Sequence, residues 1–350
     1  MVAAPSRDGN ISGSGGRDCI ITENVIAFAF SERGRRHISG GTPCQDAGAV
    51  SAVGGGVFIC AADGHGGEDY MRSQVGSMLC CRAARECMTD GTLLAALDRA
   101  ASSVCAERLI AQLKKSVICR WNELVAEHLS ENPLTEEELG SLPERTAEHY
   151  RAGEYLERAY GTTLLAALTT RSYCLILQLG DGKCVVLRDG EYISPMPDDE
   201  RCIGNQTTSM CDSRAFAETR HCFFAPLGDI ERERETSPPG GTATEEEPGG
   251  ADIIPEGETG RLYGYVPEAV FLCTDGISNS FSDDEGLYNF YYMVTENLCE
   301  TYDGLAKEKC ASLTEEDMRA EMDELREFIS IISQKGSGDD VSLAAVINVK

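Results

Sequence analysis

The chain has 350 residues, 42% of them hydrophobic with a single tryptophan, and a formal charge of −27. That length can bury a large core, as one big domain or two ordinary ones. The acidic balance argues against a nucleic-acid binder, whose affinity comes mainly from Lys and Arg on phosphates, and against an anionic membrane surface; it fits solubility, cation binding or a basic partner.

Residues 1–22 are polar and rich in Gly and Ser, and are expected to form a flexible tail ahead of one domain over 23–350. No apolar signal-peptide core and no run near 18 apolar residues occurs. Sixteen cysteines include no C-x-x-C pair, and most lie in apolar runs. They read as free, buried thiols of a reduced, cytoplasmic protein.

Val25–Phe30 starts the ordered part. Ala47–Val53 and Val57–Ala62 read as strands joined at Gly54-Gly55-Gly56. From Glu68 to about Leu129 the apolar spacing is helical, with Leu93, Leu97, Ala100 and Val104, then Ile110, Leu113, Val117, Trp121 and Leu124. Asn132-Pro133 ends that stretch, and Thr135 with Glu138 offers a capping box for a short helix.

After Gly161 the period falls to two. Thr162–Thr169, Tyr173–Leu179 and Lys183–Leu187 read as consecutive strands, with turns at Gly180-Asp181-Gly182 and Asp189-Gly190. Residues 231–260 hold nine acidic and two basic residues and four prolines, which predicts a disordered acidic insert. Glu268–Thr274 is a further strand. Ser282 with Glu285 caps a helix to about Cys299. Thr314 with Asp317 opens another to about Ser333, with Met318, Met322, Leu325, Phe328, Ile329 and Ile332 on one face. Val341–Val349 closes the chain as a strand. Strand runs broken by a helical run, without βαβ alternation, predict an α+β fold with antiparallel sheets.

Several aspartates share one setting, the end of a strand or the mouth of a turn. Asp46 precedes a strand; Asp63 and Asp275 each end one; Asp181 sits in a turn; Asp339 and Asp340 precede the last strand. Each singly is an ordinary turn residue, and Asp63-Gly64-His65-Gly66-Gly67 alone reads equally as a plain turn with a solvated histidine. Jointly they suggest a site, because antiparallel strands bring such ends together. Carboxylates at about 4 Å repel by about 4 kcal/mol per pair at an effective dielectric near 20. No Lys or Arg lies within two residues of Asp46, Asp63, Asp275 or Asp339, so a pair of divalent cations is the simplest counter-charge. Oxygen ligands favour Mg²⁺ or Mn²⁺.

The ordered set Gln45-Asp46, Asp63-Gly64-His65-Gly66-Gly67, Gly161-Thr162-Thr163-Leu164, Gly180-Asp181-Gly182, Cys273-Thr274-Asp275-Gly276 and Gly338-Asp339-Asp340-Val341-Ser342-Leu343 resembles the protein phosphatase 2C family of metal-dependent Ser/Thr phosphatases. His37, Gly41-Thr42-Pro43-Cys44-Gln45-Asp46 and Asn205-Gln206-Thr207 resemble its bacterial-type branch. The resemblance implies two packed antiparallel β-sheets flanked by α-helices, a four-layer sandwich with a binuclear metal centre at one edge. It implies that Asp63 bridges two metals, Asp275 and Asp339 complete one, and the Gly64 carbonyl helps hold the other. Asp46 would orient the water, Asp181 would join a third, weaker site, and His65 would be the general acid. The implied reaction is hydrolysis of phosphoserine or phosphothreonine in a phosphoprotein by a hydroxide bridging the metals, within a signalling system that includes a cognate kinase.

The family often carries an arginine five residues before the first aspartate, to grip phosphate; here that position is Gly41, with Arg35, Arg36 and His37 as substitutes. Gln45 stands where many members have Glu. The alternatives are a pseudophosphatase binding module and a hydrolase of small phosphomonoesters.

Overall fold

Strands apolar on both faces need cover on both sides. A computed structural model describes residues 18–99, 103–202, 206–226 and 260–349, and there twelve strands form two six-stranded sheets. The first runs β1 (Cys19–Thr22), β2 (Val25–Glu32), β12 (Val341–Asn348), β11 (Ala269–Cys273), β7 (Lys183–Arg188), β8 (Glu191–Ile193). The second runs β10 (Gly260–Tyr263), β9 (Arg220–Phe224), β6 (Cys174–Leu179), β5 (Leu164–Thr170), β4 (Gly56–Ala62), β3 (Ala47–Val53).

Side-chain alternation sorts these strands into three cores. Ala27, Ala29, Ile59, Ala61, Leu165, Val270, Leu272, Ala344 and Val346 pack between the sheets. Phe58, Cys60, Leu164, Ala166 and Leu168 face outward from the second sheet. They meet a helical layer of α2 (Ser73–Met88), α3 (Gly91–Asp98), α4 (Ser103–Glu131), α5 (Glu136–Gly140) and α6 (Glu144–Arg151). Phe28, Phe271, Leu343 and Ala345 face outward from the first sheet. They meet the helices Asp284–Lys309 and Arg319–Lys335. The order is helix, sheet, sheet, helix, the expected four-layer α+β sandwich. Three short helices, α1 (Arg35–Gly40), α7 (Ala215–Glu218) and α8 (Asp275–Ser278), complete the set, so the two long C-terminal helices are α9 and α10. Among the described residues, no helix is long and apolar enough to cross a membrane.

Four expectations need correction. The sheets are not wholly antiparallel: β10 pairs with β9 in parallel, Gly260 opposite His221 and Tyr263 opposite Phe224. A parallel pair cannot be joined by a tight turn, and residues 225–259 separate the two strands in sequence. The insert assigned to 231–260 lies outside the described residues except for Gly260, which opens β10. The tail stops short of residue 22, because Cys19–Thr22 pairs with β2; residues 1–17 lie outside the described residues. The C-terminal helices also start later than their caps suggested. Asp283, not Ser282, caps α9, accepting from the Gly286 amide at 2.9 Å. Thr314 and Asp317 close a turn ahead of α10, whose first residue is Arg319. On that helix Phe328 is 41% exposed rather than buried.

One buried cation pins the helical layer to the site. Arg72, just ahead of α2, makes two hydrogen bonds to the Glu138 carboxylate at 2.7 and 2.8 Å. It also donates to the Asn132 and Pro133 carbonyls and to the Tyr160 hydroxyl. The Arg72 bond holds the Glu138 carboxyl down at about 2. Replacing Arg72 by Met removes these bonds, although Glu138 keeps its Thr135 donors and the exposed Asn132 and Pro133 carbonyls turn to water, and should cost about 1–2 kcal/mol in urea unfolding at pH 7. Glu138's folded value lies below its unfolded one, so its contribution is full above pH 4.5 and is lost toward pH 2. The difference between wild type and Arg72→Met should therefore narrow as pH falls through that window.

Candidate active site

Strand register carries the aspartates to one edge. Ala47 pairs with Ala62, so the next residues outward, Asp46 and Asp63, stand opposite each other. Cys273 pairs with Lys183 on one side and Leu343 on the other. The same extension sets Thr274 opposite Ser342, and the next residue, Asp275, opens α8 with its carboxyl within electrostatic reach of Asp181. The Asp63 amide donates to Thr163 Oγ1 at 3.0 Å, and its carbonyl accepts from the Thr163 amide at 2.8 Å. Gly64 forms an antiparallel bridge with Thr162, and its amide donates to the Gln45 carbonyl at 3.2 Å.

Thr274 joins the two sheets at this edge. Its hydroxyl donates to Asp46 Oδ2 at 2.7 Å and accepts from the Ser342 amide at 2.8 Å. Asp340 is a second fastening. Its buried carboxylate accepts from the Gly34 amide at 2.7 Å, the Gln45 amide at 2.6 Å and His37 Nδ1 at 2.7 Å. With these donors it fixes the segment ahead of Asp46 rather than facing an ion. The motif Asp339-Asp340 gave no hint of this division of labour; only the fold reveals it.

The remaining carboxyls press on one another. Burial, then the neighbouring Asp340, pushes the Asp46 carboxyl well above the usual carboxylate range. Burial and the charges of Asp46, Asp275 and Asp181 do the same to Asp63. Asp275 is pushed up to about 6 by burial and by Asp181 and Asp339. Burial raises Asp181. Asp63 lies close enough to both Asp46 and Asp275 to share a proton with them. Asp339 sits at the rim, 3.6 Å from the exposed Arg36. The sequence-based statement that no cation stands near these aspartates thus holds along the chain but not in space.

The expected ligands converge without forming a finished coordination shell. Among the described residues no three His, Cys, Asp or Glu side chains are disposed to hold a metal ion as they stand. Asp275 accepts from Asn279 Nδ2 at 3.0 Å while Asp339 faces Arg36. The donor set nevertheless fits a hard divalent cation: carboxylates held at raised proton affinity by burial and by neighbouring charge, with no thiolate among them. Cys44 lies beside Asp46, and burial pushes its thiol far out of its ionising range.

His65 follows Asp63 by two residues and lies half-buried. Burial pulls its imidazole down to about 4, so the ring is neutral at pH 7 in this state. Gly41 explains the missing arginine. It ends α1 at φ +74°, a left-handed conformation that a side chain strains, and its amide caps the Ile38 carbonyl. Asn205 lies outside the described residues.

A family model described as protein phosphatase 2C matches residues 33–324. The chain belongs to the protein phosphatase 2C family. It is therefore an enzyme of the metal-dependent protein serine/threonine phosphatase class. Solved structures similar to it include Ser/Thr phosphatase Stp1 from Staphylococcus aureus, 14% identical, TM-score 0.47, covering 95% of this chain and 98% of that one. Another is the catalytic domain of the Ser/Thr phosphatase PstP in complex with two manganese ions, 18% identical, TM-score 0.45, covering 93% and 99%. A third is PppA of Pseudomonas aeruginosa, 13% identical, TM-score 0.44, covering 93% and 99%. No curated protein matches the chain.

The crowding of charge makes a stability prediction. Asp63→Asn should raise the melting temperature of the metal-free protein at pH 8 by about 1–2 °C, the shift given by ~1 kcal/mol of relieved repulsion in a chain of 350 residues. The same substitution should abolish the further rise that Mn²⁺ gives the wild type. Asp275 has a folded value above its unfolded one, so its stabilising contribution is lost as pH rises through about 6. The Mn²⁺-induced rise in wild type should accordingly shrink as pH falls from 8 to below 6, checked by scanning calorimetry.

Proposed function

We propose that the protein hydrolyses phosphoserine and phosphothreonine in phosphoproteins, with two divalent cations held at the common strand edge. The observation that carries this reading is the gathering of Asp46, Asp63, Asp181 and Asp275 into mutual electrostatic contact. A fold keeps such a cluster at a cost of stability, and a bound cation pair offsets it.

Asp63, Asp275, Asp339 and the Gly64 carbonyl would hold the ions, with Asp181 toward a weaker third one. Bound Mg²⁺ or Mn²⁺ would supply an acidified water and charge neutralisation for the phosphoryl oxygens. Asp46, tied by Thr274, would orient that water. Arg36, 3.6 Å from Asp339, would reach substrate phosphate once Asp339 turns to an ion. His65 would protonate the departing serine or threonine oxygen. Its proton affinity, lowered by burial, would rise when a doubly charged phosphoryl group lies beside it. Sixteen free cysteines fit a reducing compartment such as the cytoplasm, where a partner kinase would supply the phosphoprotein.

With Mn²⁺, a phosphothreonine peptide should be turned over, and EDTA should stop it. Asp275→Asn should lower kcat about a hundredfold or more, and His65→Ala by roughly 10²–10⁴ on the peptide. Turnover of p-nitrophenyl phosphate alone would favour a small-ester hydrolase, and turnover of neither a binding module without catalysis.

A further inference from the structure

We propose that Tyr70 is the positioning residue that fixes the direction of the His65 ring, with Gly161 and Arg158 as the clamp behind it. This rests on His65 acting as the acid that protonates the leaving oxygen. A ring that passes a proton to one point must face that point, and imidazoles are usually held by a hydrogen bond to the second ring nitrogen. Among the described residues none reaches the ring of His65. Its bonds run through the backbone: the amide donates to the Gly161 carbonyl at 3.1 Å, and the carbonyl accepts from Gln45 Nε2 at 3.5 Å.

Packing is left to set the orientation, and Tyr70 provides it. Its ring stands edge-on to the imidazole, centroids 4.9 Å apart and planes at 76°. Both rings rest on Gly161. A Cβ there would lie 2.6 Å from Tyr70 Cδ1 and 2.8 Å from His65 Cδ2, so only glycine admits the pair.

Tyr70 is itself held. Its amide donates to the Gly67 carbonyl at 3.0 Å. The Arg158 guanidinium lies 5.5 Å over its ring and 3.1 Å from Asp69 Oδ2. Asp69 in turn accepts from Thr146 Oγ1 at 3.0 Å and, through its carbonyl, from the Tyr150 hydroxyl at 2.9 Å. The Gly161 amide donates to the Arg158 carbonyl at 3.1 Å, closing the clamp. Removing the ring of Tyr70 leaves His65 its chemistry but not its direction.

The test compares two leaving groups on the Mn²⁺-loaded enzyme. A threonine alkoxide needs a proton to depart, whereas p-nitrophenolate leaves without one. Tyr70→Leu should lower the ratio of phosphothreonine-peptide to p-nitrophenyl phosphate turnover by about tenfold or more, through kcat and not KM. Tyr70→Phe, which keeps the ring, should restore the ratio; Gly161→Ala, which pushes both rings, should lower it with Tyr70 intact. Proton NMR of the metal-free protein gives a reading independent of catalysis. Only five histidines are present, so His65→Ala identifies the ring protons, whose resonances the tyrosine ring current displaces. That displacement should vanish in Tyr70→Leu and persist in Tyr70→Phe. An unchanged turnover ratio, a Tyr70→Phe variant as impaired as Tyr70→Leu, or unmoved resonances would overturn the proposal. A wild type that turns over neither ester overturns the phosphatase reading instead, and the NMR arm then decides the role of Tyr70 alone.

Discussion

Enclosing several carboxyl groups at one sheet edge is the constraint to which the rest of the molecule is fitted. Repulsion among Asp46, Asp63, Asp181 and Asp275 favours their separation, and apolar packing on both sides of the sandwich opposes it. The fastenings stand where the opposition is strongest. Thr274 bridges one sheet to the other through Asp46, and Asp340 gathers two amides and His37 around a single carboxylate. Both are engaged with partners inside the protein. They keep the crowded carboxyls within reach of each other while the hydrophobic layers hold the two sheets together.

Much of this was legible in the chain. Ala47–Val53 is a strand with the boundaries its alternation predicts, and Val57–Ala62 falls one residue short of the observed Gly56 start. The edge position of the aspartates followed from those strands, since a strand that ends in Asp-Gly must deliver the carboxyl where the sheet stops. Family membership was legible because six short elements occur in one order. What the chain hid was long-range. The β9–β10 pair is parallel because residues far apart meet, and local turn chemistry carries no record of that. Arg36 reaches Asp339 across the sequence for the same reason. Helix starts at Asp283 and Arg319 were misplaced because Ser and Thr ahead of acidic residues close turns as readily as they cap helices.

The departures from the family pattern have separate causes. Gly41 is tied to the backbone geometry that ends α1, so an arginine there would strain the turn. The buried Asp340 is matched by His37, which donates to it. Tyr70 and Arg158 gave no signal in the sequence, because an aromatic five residues after His65 and an arginine three before Gly161 acquire meaning only when the loops meet.

The pairing of β2 with β12 brings together segments roughly 300 residues apart, Val341 opposite Glu32 and Asn348 opposite Val25. On a ribosome adding about 5–20 residues per second, one rim of β2 stays unpaired for roughly 15–60 s before its neighbour emerges. The first sheet is thus completed only after β12 has emerged, and until then the nascent chain carries an open, apolar strand of the kind that invites edge-to-edge pairing.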